Sequence, residues 1–392
     1  MTSNFAVVLA GGGSRGAYEA GVLSILLPAL EAQGMRPDIY VGTSAGAINA
    51  VGFASLSHLG AEACSAAVLD LWKEVHAERV FRPPVRAAAG KVVGKLLRRP
   101  RGRRAGSLLD TAPLGPTLDA LIDWDQLHAN VRDDLVAAVG VVATSSSTRH
   151  STVFLEAAPR VTCPPADHNR AIVYVPTPLD AHHVLASSAI PVIFPAVEIQ
   201  RPASAAGWYF DGGVRMNTPM KPAMALDANR VLVVATSPKD PPLGEPHSPT
   251  SPAPGLADGG AQLLYAMLDD RMVEDLRTLA ERNEHPVADD EVIPWLFGGP
   301  GPDDAGGIGR LVCEVLAGRR AGPGRRRGPV SRLIRRRLAR LLAGDSSRPE
   351  LVSYLFFDEG FIEGAIELGR QDALKSLGPD GAPVWHTGPP GS

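Results

Sequence analysis

The residues best suited to chemistry stand in three short patterns, in one order. Gly11-Gly12-Gly13-Ser14-Arg15-Gly16 follows the apolar run Phe5 to Ala10, Gly42-Thr43-Ser44-Ala45-Gly46 follows Ile39-Tyr40-Val41, and Asp211-Gly212-Gly213 follows Trp208-Tyr209-Phe210. A serine between glycines at a tight strand-to-helix turn projects from the carboxyl edge of a sheet, because Gly42 and Gly46 lack the Cβ atoms that would clash there. It also stands at the positive end of the following helix, which favours a developing alkoxide. Three consecutive glycines at another helix start leave backbone N–H groups unhindered, a nest for phosphate or for a tetrahedral oxyanion, and Arg15 adds positive charge nearby. Asp211, at a strand end, offers a base. Together these are the parts for acyl transfer from an ester.

Each pattern also has a plainer reading. Ser44 would make an ordinary helix N-cap, and Asp211-Gly212 an ordinary hairpin turn. The spacing of Gly11, Gly13 and Gly16 after a strand fits a dinucleotide-binding fingerprint. That fingerprint asks for an acid at the end of the second strand, where this chain has Asp38 before the strand and Ser44 after it. A phosphate-cradling P-loop fails because no Gly-Lys-Ser/Thr follows. A hydrolase with a serine triad follows the order Ser, Asp/Glu, His. After Asp211 the histidines are His247 in a Pro/Ser-rich loop, His285 before a proline and His386 near the end, none in the setting of a base. His182 and His183 precede the acid and read as structural or pocket-lining. The pattern therefore points to a Ser–Asp dyad.

The elements that must position these residues are legible from apolar runs and turn residues. Phe5 to Leu9 reads as a strand, Gly16 to Glu31 as a helix, Ile39 to Thr43 as a strand and Ala45 to His58 as a small-residue helix, a right-handed βαβ unit. A third helix runs from Ala61 to Glu74. Further strands are expected at Leu135 to Thr144, Thr152 to Glu156, Tyr209 to Asp211 and Val231 to Ala235. A helix is expected from Gln262 to Arg282, then a strand at Leu351 to Phe357 and a helix at Phe361 to Leu377. Residues 4–377 form one domain on this reading, with flexible or inserted segments at 79–106, 237–260 and 298–349 and a disordered tail at 378–392.

Composition bounds the partners. The 392 residues carry a formal charge of only -3, which conceals an asymmetry. Ten basic residues and no acid lie between Arg79 and Arg104, and another ten, again with no acid, between Arg319 and Arg340. Val330, Leu333, Ile334, Leu338, Leu341 and Leu342 fall on one helical face, with arginines mostly on the other, as suits an anionic membrane surface. No aromatic interleaves with the arginines, so base stacking is unsupported and no nucleic-acid partner is expected. Cys64, Cys163 and Cys313 are too few and too scattered for a disulfide framework or a zinc site. No His/Cys/carboxylate cluster offers a metal site, and no cofactor is expected. Without a basic n-region or a long apolar run, the chain reads as cytoplasmic, with peripheral contact at the inner face of the membrane. Oligomeric state is not readable from these patterns.

The three motifs in this order resemble the bacterial patatin-like phospholipases. Further matches are Ala189-Ile190-Pro191 with Phe194-Pro195, Asn217 and Pro219 after the acid, and Phe357-Asp358 before the last helix. The resemblance covers residues 4–236 and 351–377. It implies an α/β fold, a three-layer sandwich with a mostly parallel central sheet and helices on both faces. It implies Ser44 as nucleophile in the Gly42–Gly46 elbow, Asp211 as base in the motif with Gly212 and Gly213, and Gly11, Gly12, Gly13, Arg15 and Gly16 as the oxyanion loop. The substrate would be a lipid ester, cleaved through an acyl-Ser44 intermediate without metal. The competing expectation is a hydrolase fold without activity, in which the Arg-rich segments bind membrane or nucleic acid.

Overall fold

The computed structural model describes residues 4–82, 107–240, 272–286, 291–302, 307–320 and 348–391. At its centre is a mixed, mostly parallel sheet. Its strands are β1 (Phe5–Leu9), β2 (Ile39–Thr43), β3 (Ala138–Ser145), β4 (Ser151–Ala157), β5 (Ile172–Pro176), β6 (Val197–Ile199), β7 (Gly207–Asp211), β8 (Arg230–Val234) and β9 (Trp295–Gly298). The path runs β5-β4-β3-β2-β1-β8-β9, with β7 paired to β3 and β6 to β7. Strand β1 is buried throughout because parallel neighbours flank it and both its faces are covered, so it reads as a continuous apolar run rather than an alternation.

The two faces of β1 enter two cores. Phe5, Val7 and Leu9 meet the helices Gly16–Glu31, Ala45–Ser55, Ala61–Glu74 and Glu359–Leu374 on one side. Ala6, Val8 and Ala10 meet Met220–Ala225 and Met272–Glu284 on the other. The three-layer expectation therefore holds, with most of the helices on the first face.

Register places the site. Leu9 lies opposite Gly42, so the glycine loop after β1 and the turn after β2 leave the sheet side by side. Thr43 pairs with Val142 of β3, and one residue further along β3, Ala143 pairs with Asp211. Strand β7 takes over the edge of β3 where β2 stops, running in the opposite direction. Two strands distant in sequence thus end against each other, one carrying Ser44 and the other Asp211.

Four expectations need correction. Leu351 to Phe357 is not a strand: Arg348–Ser353 is helical, and the carbonyls of Ser353 and Tyr354 accept from Ser14 instead of from a ladder. Part of 298–349 is core rather than insertion, since Gly307–Leu316 buries Ile308, Leu311, Val312 and Val315 beside the last helix. Likewise the segment expected to begin at 79 starts inside the body, with Val80 and Phe81 buried. The tail is ordered over 378–391: His386 exchanges backbone hydrogen bonds with Trp295 and stacks on its ring, and Trp385 packs on Phe5. Aromatic residues at 385 and 386 anchor a chain end whose Gly and Pro content suggested disorder. The basic residues between 83 and 106, the apolar helical face from Val330 to Leu342 and His247 lie outside the described residues.

Candidate active site

Ser44 sits at the turn from β2 into Ala45–Ser55 with φ 54° and ψ -121°. A non-glycine residue in this region costs of order 1–3 kcal/mol and needs support from its surroundings. Support comes from both sides. A Cβ on Gly42 would lie 2.1 Å from the Gly46 carbonyl oxygen, and one on Gly46 would lie 2.4 Å from the Leu9 carbonyl, so only glycines allow the turn to close against β1. The Ser44 N–H donates to Ser187 Oγ at 2.8 Å, and that hydroxyl donates to the Val142 carbonyl at 2.5 Å.

Asp211 is almost wholly buried. Its Oδ1 accepts from the Gly213 N–H at 2.7 Å, and the Ser44 hydroxyl stands near enough to favour the charged carboxylate. Its own N–H donates to the Ala189 carbonyl at 2.9 Å, and its carbonyl accepts from the Thr144 hydroxyl at 3.0 Å. Burial pushes the carboxyl up to about 7, against the lowering effects of the Gly213 N–H it accepts from and of the nearby Ser44 hydroxyl. A base of that strength is matched to neutral pH. No histidine among the described residues lines the cavity or bonds to Asp211. His183 is instead the partner of Asp180 at a helix start and packs on Phe154.

The glycine loop stands beside Ser44: a Cβ on Gly11 would come within 3.4 Å of Ser44 Cβ. Gly11 exchanges hydrogen bonds with Asn217, which joins the loop to the turn after Asp211. The N–H groups of Ser14, Arg15 and Gly16 are engaged by the carbonyls of Tyr354, Gly12 and Gly13 respectively. Those of Gly12 and Gly13 have no partner among the described residues. Arg15 is drawn away from this purpose. Its guanidinium bonds to the Glu350 carboxylate at 2.5 Å and to Ser353 Oγ at 2.6 Å, and lies over the Tyr354 ring. Gly16 leaves room for the Trp72 ring, which a Cβ would meet at 2.4 Å.

In front of Ser44 opens a narrow cavity. Its side-chain walls are apolar, with Ala45, Ile48, Trp72, Leu118 and Phe194 among them, apart from Ser44, Thr117, Ser188 and Tyr354. The Thr117 hydroxyl is already bonded to backbone carbonyls, whereas Ser188 Oγ is buried without a partner. Beneath the wall, Trp72 donates its indole N–H to Asn49, and the Asn49 amide donates to Gly16 and to Glu19. Glu19 is wholly enclosed, and burial raises its carboxyl well above the usual range, against the lowering effect of the Asn49 amide. Sequence patterns did not single out Ser187, Ser188, Asn49 or Trp72; only the matched Ala189-Ile190-Pro191 run pointed to this neighbourhood. Among the described residues there is no group of three or more His, Cys, Asp or Glu side chains that could hold a metal ion.

A family model, patatin-like phospholipase, matches residues 7–224, more than half of the chain. The chain belongs to this family. No curated protein matches it significantly. Among solved structures it is similar to VipD from Legionella pneumophila, at 11% identity and a TM-score of 0.34, over 96% of this chain and 66% of that one. The chain thus spans just under two thirds of VipD's length, and a likeness this distant carries no argument about mechanism. Among the described residues no helix is long and apolar enough to cross a membrane.

Proposed function

We propose that the protein hydrolyses carboxylic esters of lipids with Ser44 as nucleophile and Asp211 as its base. One observation carries the reading: Ser44 stands beside a buried carboxylate held near neutral pKa, at the wall of an apolar cavity. Ser44 Oγ attacks the ester carbonyl carbon while its proton passes to Asp211. A carboxylate is a weak base toward an alcohol, so transfer and attack are coupled. The carbonyl oxygen becomes an oxyanion, for which the unpaired N–H groups of Gly12 and Gly13 are the available donors, each worth roughly 3 kcal/mol. Because the Arg15 charge is shared with Glu350, the backbone donors carry this role. Collapse breaks the bond to the alcohol, which leaves with the proton from Asp211. Water then attacks acyl-Ser44, gives its proton to Asp211, and the acid is released as Ser44 recovers that proton.

The cavity favours a hydrocarbon chain on the acyl side, since each methylene taken from water contributes about 0.8 kcal/mol. Membrane contact and a long-chain lipid substrate extend this reading. The test is labelling by a fluorophosphonate together with fatty-acid release from phospholipid and p-nitrophenyl esters. Wild-type protein should label at Ser44 and release fatty acid, and Ser44→Ala should do neither. Labelling that persists in Ser44→Ala, or release unaffected by it, excludes the mechanism.

A further inference from the structure

Four hydroxyl-bearing side chains interrupt the apolar wall of the cavity, and three of them are accounted for. Ser44 is the proposed nucleophile. Thr117 directs its hydroxyl to the backbone carbonyls of Arg79 and Pro113, at 2.8 Å from each, and the ring of Tyr354 lies beneath the Arg15 guanidinium. The fourth is Ser188. It is 8% exposed, and its Oγ is buried with no hydrogen-bond partner among the described residues. The backbone of Ser188 is fully engaged. It ends the helix Ala181–Ser187, with its N–H on the carbonyls of Val184 at 3.0 Å and Leu185 at 3.2 Å, and its own carbonyl accepts from the Ile190 N–H at 3.1 Å. The hydroxyl is therefore the polar group that Ser188 has left to offer the cavity. A buried hydroxyl without a partner is costly, and alanine, which stands nearby at 186 and 189, would avoid that cost.

The residues on either side of Ser188 fix where its partner would lie. Ser187 accepts the Ser44 N–H at 2.8 Å, and the Ala189 carbonyl accepts the Asp211 N–H at 2.9 Å. Consecutive Cα atoms are about 3.8 Å apart, so Ser188 sits a short step from both halves of the dyad. An acyl chain that leads from the ester carbonyl into the cavity passes Ser188 with its first carbons, and then the apolar side chains of Ile190 and Phe194. A plain hydrocarbon chain covers the hydroxyl and leaves it unpaired, whereas an oxygen on an early carbon pairs with it. A site that bonds a substrate hydroxyl rejects the analogue that lacks one far more strongly than an apolar pocket rejects a change of size.

We propose that Ser188 is a specificity-determining residue, which selects acyl chains with a hydroxyl group on the second or third carbon. The inference rests on the lipid-ester reading and names its substrate class: esters of 2- or 3-hydroxy fatty acids. The distal chain lies against hydrocarbon, and the early oxygen of the chain meets Ser188 beside the dyad.

The experiment compares p-nitrophenyl esters of octanoic, 2-hydroxyoctanoic, 3-hydroxyoctanoic and 7-hydroxyoctanoic acid, cleaved by wild type and by Ser188→Ala. Intrinsic ester reactivity cancels when one substrate is compared across the two proteins. Ser188→Ala should lower kcat/KM about 10-fold or more for the 2- or the 3-hydroxy ester and raise it ~3-fold for octanoate, whose chain no longer covers an unpaired hydroxyl. The 7-hydroxy ester should follow octanoate. A melting temperature at or above that of wild type, expected when an unpaired buried hydroxyl is removed, shows that the variant folds. Equal losses on all four esters would mean that Ser188 serves the reaction itself, for instance by holding the water of deacylation, and overturn the inference. No change on any of them overturns it too. Titration calorimetry of the four corresponding methyl esters with Ser44→Ala and Ser44→Ala/Ser188→Ala reads binding without turnover. A preference for the 2- or 3-hydroxy ester that disappears with Ser188→Ala, in a protein that cleaves no ester, would sink the proposed function and leave the oxygen subsite standing. Cleavage through Ser44 without that preference would do the reverse.

Discussion

Replacing Asp211 by Asn should abolish activity and at the same time make the protein more stable. The carboxyl is enclosed and pushed up to about 7 from an ordinary 3.8. That rise of about 3 on the pH scale corresponds to roughly 4 kcal/mol of folding stability forgone at ~1.4 kcal/mol per unit. The sign follows from proton binding. Below the unfolded value both states hold the proton and there is no penalty. As pH rises through 3.8 towards 7 the unfolded chain releases its proton while the folded one keeps it, so stability falls. Above 7 the full penalty applies. Asn cannot ionise and keeps an oxygen for the Gly213 N–H, while its buried amide NH2 stands where a carboxylate oxygen was, a cost of about 1–2 kcal/mol. A net gain of about 2–3 kcal/mol remains, or roughly 2–4 °C in melting temperature for a chain of this length. Thermal melts of both proteins from pH 4 to pH 9 read the effect directly. The gap should favour Asp211→Asn above pH 7, narrow as pH falls and reverse or vanish near pH 4. Equal melting temperatures at pH 8, or a gap that widens on acidification, would refute the account of this carboxyl.

Ester hydrolysis by wild type should lose about tenfold in kcat/KM per pH unit below 7 and level off above it, since Asp211 must be ionised to act; a flat profile between pH 5 and 8 would remove it as the base. Ser187→Ala deletes the acceptor for the strained Ser44 N–H, and should lower kcat about 10-fold with little change in KM, measured on a short soluble ester. Gly13→Ala would push a Cβ to within 2.0 Å of the Tyr354 carbonyl at a residue with φ 57°, and should reduce kcat by ~10²-fold or more as the loop shifts off its donors. Val80→Trp should fill part of the cavity, so that kcat/KM falls for long acyl chains while acetate and butyrate esters are still cleaved; a uniform loss across chain lengths would argue that acyl groups bind elsewhere.

The N-terminal βαβ unit was legible because its patterns are local: an apolar run, a glycine turn and a small-residue helix each announce themselves within about a dozen residues. The pairing of Ser44 with Asp211 was readable as an expectation from motif order, but not as geometry. It depends on β7 occupying the lane of β3 that β2 vacates, a contact across well over a hundred residues that leaves no periodic trace. Ser187 was invisible for a similar reason, since a serine near a helix end is common and only the tertiary structure sets its hydroxyl against the Ser44 N–H. Arg15 misled because a charge beside a glycine loop suggests an anion, whereas Glu350, far along the chain, had already claimed it. The apolar run at 351–357 suggested a strand because most of its residues are apolar, and Tyr354, Phe356 and Phe357 are indeed buried. They are buried against the glycine loop and the cavity, and not within the sheet.

The glycine loop near residue 13 is completed by residues 350–357, which hold Ser14 and Arg15 and supply Tyr354, Leu355 and Phe357 to the cavity. A ribosome makes these two halves more than three hundred residues apart, the nucleophile before its surroundings. A nascent chain that already displays Ser44 therefore lacks both a braced anion loop and a closed pocket. On the proposed mechanism, ester cleavage therefore waits until residues 350–357 have emerged, and a product terminated before them should be harmless to membranes.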